Sequence, residues 1–142
     1  MTTVDALQET LAAEHAAVFV YGVLGGRLDA VDNPVTAERF RSAYEAHRGR
    51  RDQLRAMVAG LGAAPVTAAP GYEVPVAGSR DPGRLVQLAL RTETRCAAVY
   101  GLQVAGTTGR HRRWAVEALT ETAVRQVDLG AAPEAFPGAP EL

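Results

Sequence analysis

Glu14, His47 and Glu93 are the residues of this chain best suited to chemistry. Two carboxylates and an imidazole are the donor types of a mononuclear facial metal site, for which iron or manganese is the natural occupant. Each of the three falls near the middle of a predicted helix, at a position where the apolar repeat points inward. Ionisable side chains are rarely buried without a partner, so three at one level of an apolar interior have to be explained together. Two explanations are open. In one, Glu14, His47 and Glu93 are metal ligands. In the other, Arg51, one turn beyond His47 on the same seam, joins them in a metal-free polar network of Glu14, Tyr44, His47, Arg51, Glu93 and Tyr100, with Tyr21 nearby. A guanidinium beside the carboxylates opposes a bound cation and favours the second arrangement.

Other reactive constellations are missing. There is no Ser/His/Asp, Cys/His or HExxH pattern and no glycine-rich phosphate loop; Gly22-x-x-Gly25-Gly26 follows no strand and reads as helix termination. The single cysteine, Cys96, excludes an internal disulfide and sits among Ala97, Ala98 and Val99 as a small buried hydrophobe. His15 projects about 100° away from Glu14 and is expected at a helix edge. Arg110, Arg112 and Arg113 crowd a helix start, where positive charge works against the macrodipole. That cluster is the only feature suggesting an RNA- or anion-binding role, and a net charge of −1 argues against nucleic acid.

The elements that must position the trio are clearly punctuated. Thr2-x-x-Asp5 has capping-box character, and Leu7, Leu11, Val18 and Tyr21 repeat at helical spacing up to Gly25-Gly26. Asn33-Pro34 and Asp81-Pro82 each pair an N-cap with proline at the first helical position. Glycines 60, 62, 106 and 130 mark ends. The spacing predicts helices at 4–27, 35–61, 82–105 and 110–129, and no strand. On helix 4, Leu119, Ala123 and Val127 are expected inside, with Glu117, Glu121 and Arg125 on the solvent side.

Connection lengths then set the topology. Residues 28–34 and 106–109 are short links that force antiparallel neighbours. Residues 62–81, with Pro65, Pro70, Gly71, Pro75 and Gly78, are long enough at ~3.3 Å per residue to run the length of a helix. Two hairpins joined by such a crossover describe an all-α antiparallel four-helix bundle, with 1–142 as one domain and 131–142 as an extended tail that Phe136 would pin to the surface.

Several stretches carry a resemblance: Ala13-Glu14-His15-Ala16-Ala17-Val18, Ala46 to Asp52, Glu93 to Tyr100, and Phe136-Pro137-Gly138. The chain resembles the ferritin-like superfamily, and within it an uncharacterised actinobacterial family of unassigned function. Di-iron members of that superfamily take one Glu from each of two helices and a Glu-x-x-His from each of the other two. The resemblance implies that Glu14, Glu93 and His47 match this pattern, while Tyr44 stands where helix 2 would carry Glu. On helix 4, Glu117-x-x-Thr120 and Glu121-x-x-Val124 lack the histidine. Half of the ligand set remains, without bridging carboxylates.

All 15 basic residues are arginine, which fits a high-GC genome as well as any anion site. No basic, apolar leader is evident at Met1 to Glu9, and no run approaches the roughly 18 apolar residues of a membrane span. The expectation is a cytoplasmic protein that contacts neither membrane nor nucleic acid. Val20, Val23 and Leu24, off the main seam of helix 1, suggest a homodimer. The leading functional expectation is a ferritin-like protein with a degenerate, metal-free centre and a structural or interaction role, holding no cofactor. The alternatives are a metal-binding or oxidoreductase protein using Glu14, His47 and Glu93, and an RNA- or anion-binding bundle. Whether it is an enzyme is left open.

Overall fold

A computed structural model of the chain describes residues 1–76 and 78–139; Ala77 in the crossover and the last three residues of the tail lie outside the described residues. Four helices account for most of it: α1 (Thr3–Arg27), α2 (Pro34–Gly60), α3 (Pro82–Gly106) and α4 (Gly109–Asp128). Among the described residues there is no strand. None of the helices is long and apolar enough to cross a membrane.

The helix starts follow the local chemistry. At α1 the Thr2 hydroxyl accepts from the Asp5 N–H, and the Asp5 carboxylate accepts from the Thr2 N–H, which satisfies two of the free donors of the first turn. Asp81 caps α3 through the Arg84 N–H. Asn33 does not cap α2 with its side chain, which donates instead to the Asp29 carbonyl; Pro34 alone sets that start.

The helices pack as two hairpins, α1 with α2 and α3 with α4, joined by a third close interface between α1 and α3. Apolar side chains form separate layers along the bundle. One end is filled by Tyr21, Leu24, Leu28, Phe40, Leu85 and Leu88, and the other by Leu7, Leu11, Leu54 and Val58. Burying one such side chain contributes about 1.5–3 kcal/mol. Between these layers sits a level of polar residues.

The crossover between α2 and α3 runs along α1 and is held by specific contacts. The Gln8 side chain donates to the Ala64 carbonyl (2.7 Å) and accepts from the Val66 N–H (2.8 Å), while His15 Nε2 pairs with the Val66 carbonyl at 3.0 Å. Tyr72 packs on Phe19, and Val74 and Val76 lie against the Val20 and Leu24 layer. Val20 and Leu24 are therefore buried within the chain, and Val23 is half-buried. This removes the reason they offered for a dimer: the apolar surface is real, and the crossover covers it.

Two faces differ from expectation. On α4 the buried residues are His111, Ala115, Ala118, Thr122 and Gln126, while Val127 is 43% exposed. The inward face is turned by one residue, about 100°, because small Ala115 and Ala118 let α3 approach where Leu119 and Val127 would hold it off. In the tail, Phe136 is 62% exposed and pins nothing. Gly138 makes the contact instead: its φ is +75°, and a Cβ there would lie 2.2 Å from the Ala97 carbonyl oxygen of α3.

Gly138→Ala is expected to detach the tail, seen as faster proteolysis within residues 131–139. Gly130→Ala, at φ +102° but facing open space, tests backbone strain without that clash. Equal protection in wild type and Gly138→Ala would refute the contact.

Candidate functional site

The mid-bundle polar level takes one or more side chains from every helix. On α2 the buried seam is Phe40, Ala43, His47, Arg50, Leu54 and Val58. The imidazole of His47 is fully buried between Glu14 of α1 and Glu93 of α3, both also fully buried. His47 Nδ1 lies 2.6 Å from Glu14 Oε2, and His47 Nε2 lies 3.1 Å from Glu93 Oε1. Where both carboxylates are ionised they only accept hydrogen bonds, so both ring nitrogens then donate and the ring is an imidazolium, the form that its raised pKa favours. The trio is brought together, but along a line.

Each carboxylate has a phenol as its next partner. Tyr21 donates to Glu93 Oε1 at 2.6 Å, and its ring stacks on His47 with centroids 5.5 Å apart. Tyr100 donates to Glu14 Oε1. Arg50 (5% exposed) then extends the network to α3 and α4. Its Nη1 donates to the Tyr100 hydroxyl and to Thr122 Oγ1, both at 3.0 Å, and its Nη2 to Glu121 Oε2 at 2.6 Å. Arg125 of α4 reaches the same level, its Nε 3.8 Å from Glu93 Oε1. Three cations, His47, Arg50 and Arg125, thus face three carboxylates, Glu14, Glu93 and Glu121.

Burial opposes the charge on His47, but hydrogen bonds to Glu14 and Glu93 and their charges outweigh it and push its pKa up to about 9. Burial also disfavours the Glu93 anion, yet His47, Arg125 and Tyr21 together hold its pKa below the usual value. Tyr21 and Tyr100 are kept neutral, by burial first and then by the adjacent carboxylates. Burial, followed by the Glu14 and Glu93 charges, raises the Cys96 thiol as well, so it is no nucleophile.

Two expected members of the network lie elsewhere. Arg51 is not on the seam; its guanidinium lies 2.9 Å from its neighbour Asp52, and Arg50 is the buried arginine. Tyr44 is half-buried at the α1–α2 edge with Arg48 over its ring, while Ala43 occupies the seam. The reason is the same in both cases: steps of three and of four both keep a residue near a seam, and only packing chooses between neighbours. Glu121 is exposed, as its polarity suggests, but still binds Arg50. Arg110, Arg112 and Arg113 are exposed at the start of α4. His111 between them is largely buried, and burial and then Arg110 lower its pKa. Thr122 and Arg125 carried no usable sequence signal, since both fell outside the apolar stripe assigned to helix 4.

The arrangement does not fit a metal ion. Glu14 and Glu93 approach opposite nitrogens of one ring, so their lone pairs and an imidazole lone pair do not converge on a point. Both ring nitrogens are engaged as donors, and Arg125 lies beside Glu93. Among the described residues, no group of three or more His, Cys, Asp and Glu side chains has metal-holding geometry.

Replacing His47 by Ala leaves two buried carboxylates facing one another and is expected to cost about 3–5 kcal/mol in chemical denaturation. Arg50→Met should cost several-fold more than Arg51→Met, for which less than about 0.5 kcal/mol is expected. The pH dependence has two limbs. His47 has a folded-state pKa above the free value of 6.5, so its contribution is complete below that value and is lost as pH rises through about 9. That alkaline loss is expected to be about 3 kcal/mol. Glu93 has a lowered pKa, so its contribution is present above the usual carboxylate value of 4.5 and is lost as pH falls below it. Urea unfolding across pH checks both limbs: a triple Glu14→Gln, His47→Leu, Glu93→Gln variant should lack them.

Residues 6–141 match the family described as Domain of unknown function (DUF4439). The fold is also similar to that in the crystal structure of a conserved hypothetical protein, rv2844, from Mycobacterium tuberculosis. The identity is 32% over 95% of this chain and 96% of that one, with a TM-score of 0.81. No curated protein matches the chain. With the family match spanning nearly its whole length and a relative of this identity, the chain belongs to the DUF4439 family of unknown function.

Proposed function

We propose that this protein is a metal-free relative of the ferritin-like bundles, acting as a structural or interaction module whose centre is held by charge pairing. The observation that carries the reading is the placement of Glu14 and Glu93 on opposite nitrogens of His47. In a carboxylate-bridged site, acidic and imidazole ligands surround a cation. Here the imidazolium is itself the cation, with Arg50 and Arg125 as outer counter-charges. Such a cluster offers no open coordination position, no activated nucleophile and no general base within reach of a substrate. What it does offer is register: its hydrogen bonds link all four helices at one height and penalise any slip.

An interaction role draws on the outer surface. Val116, Val124 and Val127 of α4 and Leu102 of α3 are 43–58% exposed, and an apolar surface of this kind suits a protein partner or a second copy of the chain.

The reading is tested by metal analysis of protein purified from its native host, together with calorimetric titration of the protein with Fe2+ and Mn2+. Substoichiometric metal and no saturable binding are expected. One equivalent of either metal per chain, lost in His47→Ala, would replace this reading with that of a metalloprotein ligated by Glu14, His47 and Glu93. Independently, 15N-labelled histidine should show both His47 ring nitrogens protonated at neutral pH.

A further inference from the structure

Three buried side-chain atoms have no partner within the protein among the described residues: Glu93 Oε2, Gln103 Oε1 and Arg125 Nη1. Two of them belong to one misaligned contact. Arg125 Nε stands 3.8 Å from Glu93 Oε1, beyond hydrogen-bond range, while Arg125 Nη1 and Glu93 Oε2 have no partner among the described residues. Buried polar atoms are seldom left without a partner, because each pays its full desolvation cost.

The two open atoms define what could pair with both. The occupant must donate to a carboxylate oxygen and accept from a guanidinium N–H. A metal cation accepts nothing from Nη1 and is repelled by Arg125. A halide or a fully deprotonated anion donates nothing to Oε2, and any anion is repelled by Glu93. A water molecule does both. We propose a buried hydration site in which one water donates to Glu93 Oε2 and accepts from Arg125 Nη1, closing the gap in the charge network.

The fold also supplies a route to this site. Side chains rather than close backbone packing join α2 to α4, and Arg125 lines a pocket of about 510 Å³ between them, with Ser42, Thr120 and Val124 in its walls. Apolar layers close the level above and below, the Tyr21 ring stacks on His47, and a second pocket on the same α2–α4 side is lined by Arg50 and Glu121. The water therefore exchanges with solvent through the α2–α4 side. Glu93 accepts from His47 Nε2 through Oε1 and meets the water through Oε2, so this one carboxylate connects the imidazolium to solvent. The site rests on the Glu93–Arg125 geometry and does not require the interaction role proposed above.

A crystal structure at a resolution that shows individual waters, repeated after soaks in manganese and in bromide, tests it directly. The expected result is one peak within hydrogen-bond distance of Glu93 Oε2 and Arg125 Nη1, without anomalous signal in either soak. A two-pronged Arg125–Glu93 ion pair with no intervening peak, or an anomalous scatterer at that position, would overturn it. The route is tested in solution by Val124→Trp, which fills the pocket without touching the network. Exchange of the His47 Nε2 hydrogen with water, followed by NMR, should slow several-fold at unchanged melting temperature; an unchanged rate would refute entry through this pocket.

Discussion

The bundle depends on a single fully buried imidazolium held between two fully buried carboxylates. Taking three ionised groups out of water is costly, and the cost is offset only because every charge meets its opposite at hydrogen-bond distance. Glu14 comes from α1, His47 from α2 and Glu93 from α3, so the pairing forms only when these helices stand in one register. Apolar packing alone is more permissive: layers of Leu and Ala tolerate small shifts along a helix, whereas an unpaired buried charge does not. The pairing of these charges is therefore tied to the register of α1, α2 and α3.

Arg50 and Arg125 extend this logic to the fourth helix. The α1–α2, α3–α4 and α1–α3 interfaces pack closely, whereas α4 is tied to α2 by long side chains. Arg50 reaches Thr122 and Glu121, and the Trp114 indole donates to Gln53 at 2.6 Å. Polar links across a gap leave room for solvent, and pockets between α2 and α4 reach Arg50 and Arg125 of the mid-level. The extended crossover accounts for part of that asymmetry, since it covers the outer face of α1 with Tyr72, Val74 and Val76.

Much of this was legible in the residues themselves. Proline after Asn33 and Asp81, the Thr2–Asp5 capping pair and the terminating glycines act through local backbone chemistry, so helix ends could be located without knowing what packs against them. The inward positions of Glu14 and Glu93 follow from apolar neighbours at helical spacing, and that of His47 from its place seven residues from both Phe40 and Leu54. At Arg51 and Tyr44 two adjacent positions fit the periodicity equally well, and packing selects Arg50 and Ala43 instead. Helix 4 misled for a different reason: its inner face is built from Ala115, Ala118 and Thr122, and a search for large apolar residues selects the flank instead. Phe136 failed in the same way, a bulky side chain preferred over the glycine that makes the close approach.

Period, capping and chain length specify the all-α class, the four helices, the long crossover and a polar level at mid-bundle. How the residues of that level face one another depends on tertiary packing. Composition specifies two carboxylates and an imidazole but not whether their lone pairs converge or oppose. That outcome depends on which ring nitrogen faces α1 and which faces α3, and on Arg50 and Arg125 arriving from positions a one-dimensional pattern cannot rank. Placed on opposite sides of His47, the carboxylates hold an imidazolium; placed around a common point, the same residues would describe a metal site.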